Sequence, residues 1–67
     1  MFLIMLEREV YYYEKNKRKF KELYNGKYIV IKNKAIIGIY DTHSEAYHNT
    51  ITDNEVGTFI IKHIVKR

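Results

Sequence analysis

Apolar and polar residues alternate along this chain with two different periods, and the change of period divides it into elements. From Leu3 to Tyr24, the positions Leu3, Leu6, Val10, Tyr13, Lys17, Phe20 and Tyr24 fall three and four apart. That spacing predicts one face of a long N-terminal helix, interrupted only by Lys17. Glu14 stands four residues before Arg18, the favourable order for a helix ion pair. Asn25-Gly26 supplies the stop, because glycine readily takes the left-handed conformation that ends helices.

Beyond Gly26 the pattern becomes strand-like. Lys27 to Lys32 is β-branched and aromatic, and Ala35 to Asp41 is a second such run. Asn33-Lys34 joins them as a tight turn, since asparagine tolerates positive φ. Gly38 weakens a strand unless another group must approach closely there, and a crossing helix is the expected group. Thr42-His43-Ser44-Glu45 has the form of a capping box, and it starts a short helix to about Asp53. Ala46, Tyr47, Thr50 and Ile51 mark the inner side of that helix. A last strand follows over Thr58 to Val65.

The predicted fold is α+β, ordered α-β-β-α-β, with a three-stranded, mainly antiparallel sheet in one domain over residues 1–67. The last strand can return beside either strand of the hairpin. Ile and Val occupy both faces of all three strands, with Ile29 and Ile31 opposite to Val30, for example. So either the two helices cover opposite faces, or a further chain buries one of them.

Composition narrows the chemistry. A chain of 67 residues makes a marginally stable domain, and the absence of cysteine excludes disulfides, thiolate metal sites and thiol nucleophiles. The apolar run at the start is too short to span a membrane and lacks a cleavage site, so the chain reads as cytoplasmic. His43 and His48 stand five apart on the short helix and diverge around its axis, which argues against a shared metal. Asp41, Asp53 and Glu55 read as turn and cap residues. We therefore expect no catalytic, cofactor or metal site, and no enzyme activity.

Two surfaces carry the functional expectations. Phe2, Leu3, Met5 and Leu6 lie in an apolar run that points all around a helix, more than one small sheet can bury. With Val10 and Tyr13 they form the predicted interaction surface of a small regulatory module. Its partner is itself, as a homo-oligomer, or another protein that it would serve as inhibitor or accessory subunit. The alternative is nucleic-acid binding through Lys15, Arg18, Lys19 and Lys21, with Lys17 among them and Tyr11 to Tyr13 just upstream. A net charge of +4 permits that partner without requiring it.

The ordered segments "ERE-YYYEKNK", "YNGKYIVIKNKAIIGIYDTHSEAY" and "GTFIIKHI" resemble a widespread family of small prokaryotic proteins of unknown function. The matching positions are Tyr24, Gly26, Lys27, Tyr28, Gly38, Asp41, Thr42, Glu45, Ala46, Tyr47 and Phe59, within a stretch from about Glu7 to Ile64. Gly57-Thr58 departs from the proline usual before the closing strand, which leaves the last turn open. Members are often encoded beside retroviral-type aspartic proteases, so the resemblance implies a protease-associated partner. Each signature residue also has a folding explanation, so the shared stretch reads as scaffold.

Overall fold

The computed structural model describes residues 7–65. Five elements follow in the predicted order: α1 (Glu7–Leu23), β1 (Tyr28–Lys32), β2 (Ala35–Tyr40), α2 (His43–Thr50) and β3 (Ile60–His63). The sheet runs β2-β1-β3, and both pairings are antiparallel. The closing strand therefore returns beside β1, and β2 and β3 are the two edges. Hydrogen bonds from Gly26 to Ile64 and from Ile64 to Lys27 carry the β1–β3 pairing past the end of β3.

The helices cover opposite faces, which explains the double-sided Ile and Val pattern. On one face Tyr13 and Phe20 of α1 pack with Ile29, Ile31 and Ile64. On the other, Ala46 of α2 packs with Val30 and Phe59, flanked by Tyr28, Tyr40 and Ile61. Central β1 consequently has Ile29, Val30 and Ile31 fully buried.

Turn chemistry sets the corners. Gly26 ends α1 at φ 87° and Gly57 turns the chain toward β3 at φ 94°. Asn33 sits at φ 60° between β1 and β2, a conformation that asparagine tolerates better than most residues. Thr42 caps α2, its hydroxyl accepting from the Glu45 amide at 3.1 Å. The reciprocal bond of a capping box is not made among the described residues.

Four expectations are corrected. The buried stripe of α1 is Glu9, Tyr13 and Phe20, with Asn16 and Tyr24 half-buried beside it. Val10 and Lys17 therefore point to solvent, and no lysine interrupts the stripe. Glu14 makes no ion pair with Arg18, because the one ion pair among the described residues joins Lys27 to Asp41. The group nearest to Gly38 is the Tyr40 side chain and not the helix itself: a Cβ there would stand 2.6 Å from the Tyr40 ring, on the face that α2 covers through Ala46 and Val30. Finally, α2 stops at Thr50, where Asn54 binds back to the Thr50 carbonyl, which leaves Ile51 partly exposed.

Candidate interaction surface

Of the predicted interaction residues, Phe2, Leu3, Met5 and Leu6 lie outside the described residues. Val10 is exposed, whereas Tyr13 is only 8% exposed and belongs to the core, so it is unavailable to a partner. The physical reason is the rotation of the α1 stripe toward Glu9, which turns Tyr13 onto the sheet and Val10 away from it.

A different apolar surface is present at β2. This six-residue edge strand contains no charged side chain and no proline, the usual guards of an open edge. Ile37 and Ile39 are 44% and 45% exposed on it. Ile39 stands opposite Ile29, whose side chain packs against α1, so Ile39 lies on the α1 side of the sheet. An extra residue at Ile37 bulges the strand, because Val30 pairs with Gly38 while Ile31 pairs with Ile36. Edge β3 is guarded by comparison. It carries Lys62, whose ammonium lies 4.7 Å from the Tyr13 ring centre, and His63.

The basic residues gather on the other side of α1. Lys15, Lys17, Arg18 and Lys19 are exposed and Lys21 is half-buried. None of the five has an ion pair with a described residue. Lys15, Lys17, Arg18, Lys21 and Glu14 line a shallow open concavity. All of these groups belong to one helix, so no second wall encloses the space. Exposed Tyr11 lies beneath the Lys15 ammonium at 5.9 Å.

Two histidines meet at a point that spacing alone does not reveal. His63 stacks flat on Tyr28, with ring centres 4.1 Å apart, and His43 meets the same ring edge-on at 6.2 Å. The cross-strand pairing of Tyr28 with His63 produces the stack. His48 stays separate, its Nδ1 donating to the Ser44 carbonyl at 2.9 Å. Among the described residues, no group of three His, Asp or Glu side chains converges as a metal site would require. Asp41 binds the Lys27 ammonium rather than the helix-start amides expected for it.

Glu9 is the polar residue that the sequence pattern did not single out. It is 3% exposed, one carboxylate oxygen accepts from the Asn33 amide at 2.6 Å, and the other is buried with no partner. Arg8 donates to the Asn33 side chain at 3.4 Å, so the first turn of α1 holds the β1–β2 turn from two sides. The only sequence signal was an acid on the inner face of a helix, spaced four residues from Tyr13.

No helix of the described residues is long and apolar enough to cross a membrane. No family model, curated protein or solved structure matches this chain.

Proposed function

We propose that this protein is a small non-enzymatic interaction module that presents β2 to a further polypeptide strand, acting as a regulator or accessory subunit of a larger assembly. The observation that carries this reading is an edge without charge or proline, with Ile37 and Ile39 exposed along it. An extended segment added there gains main-chain hydrogen bonds along its length, and alternate side chains supply selectivity. Burying an isoleucine that starts almost half exposed contributes on the order of 1 kcal/mol.

Affinity purification from the native cell tests it, with the wild-type chain and the Ile39→Lys variant compared by mass spectrometry. Ile39 is already partly solvated, so a lysine there leaves the core intact while charging the edge. The expected result is a protein set retained by the wild type and lost with the variant. Identical sets on both columns would reject strand addition at β2.

A second reading rests on the five cations of α1 that have no ion-pair partner among the described residues. Clustered Lys and Arg beside an exposed Tyr form a surface suited to the phosphates and bases of a single-stranded nucleic acid. Fluorescence anisotropy with a labelled oligonucleotide decides it. Under this reading the affinity falls steeply with salt, and Lys15→Ala and Arg18→Ala each lower the log–log salt slope by about 1. Binding that ignores salt, or no binding at all, rejects it.

A further inference from the structure

Self-complementarity distinguishes β2 from an edge that awaits an unrelated strand. A two-fold axis sets a strand antiparallel to its own copy, so each charge near the middle would face its like. Between Ala35 and Tyr40 there is none. The charges that do occur flank the strand, with opposite sign at the two ends: exposed Lys34 precedes it and exposed Asp41 follows it. Antiparallel self-pairing brings Lys34 of each copy beside Asp41 of the other, twice. The Lys34 side chain has no hydrogen bond or ion pair with a described residue, and Asp41, which binds Lys27 through Oδ1, keeps its exposed Oδ2 for that contact.

The register agrees with the charges. Placing Lys34 opposite Asp41 sets Ala35 against Tyr40 and Ile36 against Ile39. Ile36 and Ile39 both lie on the α1 side, because their β1 partners are Ile31 and Ile29. Tyr40 and Ala35 both lie on the α2 side, opposite Tyr28 and Lys32. In a regular strand an even stretch centred between two residues would oppose side chains from different faces, since successive side chains alternate. The extra residue at Ile37 rephases one half of the strand and removes that conflict for both outer pairs. The bulge thus has an explanation beyond blunting the edge.

We infer that the occupant of β2 is the β2 strand of a second copy of this chain, joining two three-stranded sheets into one continuous six-stranded sheet. This rests on the strand-addition reading and specifies its partner. Half-exposed Ile39 of each copy then packs on Ile36 of the other.

Sedimentation equilibrium of the full chain tests the pairing. The wild type should approach the mass of two chains, against 8.1 kDa for one. Ile39→Lys should sediment as one chain with an unchanged circular dichroism spectrum. Lys34→Asp and Asp41→Lys should each raise the dissociation constant by roughly tenfold, since each disturbs two symmetry-related exposed pairs; Asp41→Lys also removes the pair with Lys27 of its own chain, a loss that this single variant shares with the double. The double variant Lys34→Asp/Asp41→Lys should recover most of the loss. That recovery keeps the test valid even if lysine at position 39 perturbs folding, because both flanking sites are solvent-exposed.

A wild type that stays a single chain at about 1 mM, the range of weak association, overturns the self-pairing. So does a double variant that associates no better than the singles. The failures are separable. A monomeric wild type whose cellular partners are lost with Ile39→Lys refutes the second copy alone, whereas unchanged partners refute strand addition itself.

Discussion

Replacing Phe20 by alanine should leave the chain largely unfolded at 25 °C. Phe20 is 3% exposed and stands at the centre of an aromatic group, with ring centres at 5.8 Å from Tyr12, 6.3 Å from Tyr13 and 6.0 Å from Tyr24. The same group packs on Ile29, Ile31 and Ile64, so the ring joins α1 to the sheet. Truncating a buried phenylalanine costs about 3 to 5 kcal/mol, from lost transfer energy and from the cavity left behind. A domain this small has a total stability on the order of 5 kcal/mol, with no disulfide to hold the remainder. Phe20→Leu conserves most of the volume and should cost about 1.5 kcal/mol or less. Urea titration followed by circular dichroism checks both, and an alanine variant with a wild-type midpoint would show that α1 is not fastened through this ring.

Glu9→Ala should be the next most damaging change, at about 2 kcal/mol. The carboxylate is buried, and its short bond to the Asn33 amide is charge-assisted, a class that contributes more than a neutral hydrogen bond. Alanine removes the acceptor from a turn whose Asn33 already occupies the left-handed region. It also removes an anion from the first turn of α1, where the helix dipole favours one. Glu9→Gln keeps a carbonyl acceptor for the Asn33 amide and removes the buried charge, so it should lose less than half as much. Amide exchange at Asn33 provides the local reading. Exchange there should accelerate in Glu9→Ala well beyond the change at Val30, and equal acceleration at both sites would refute the clamp.

The architecture was legible because its punctuation is local. Asn25-Gly26, Asn33-Lys34 and Thr42 each specify their own turn or cap through the conformations that their residue types prefer. The Ile and Val residues on both faces of β1 likewise implied two covering layers, and α1 and α2 supply them. What the pattern left open depends on tertiary placement. An acid at position 9 reads as a solvated residue until the β1–β2 turn is brought against it, and only then does the buried stripe shift from Val10 to Glu9. The edge surface was hidden for a similar reason. Ile37 and Ile39 look like ordinary strand interior, and their exposure follows from β3 returning beside β1 and leaving β2 outermost. The stacking of His63 on Tyr28 required the β1–β3 register, which no short-range signal contains.

Hydrogen–deuterium exchange across a concentration series tests most directly whether β2 is the face through which copies of this chain meet. Amides of Ile37, Gly38 and Ile39 should become more protected as concentration rises, while those of Ile61 and Lys62 on the opposite edge keep a constant rate. Exchange at β2 that is independent of concentration, or protection that rises equally along both edges, would contradict the account.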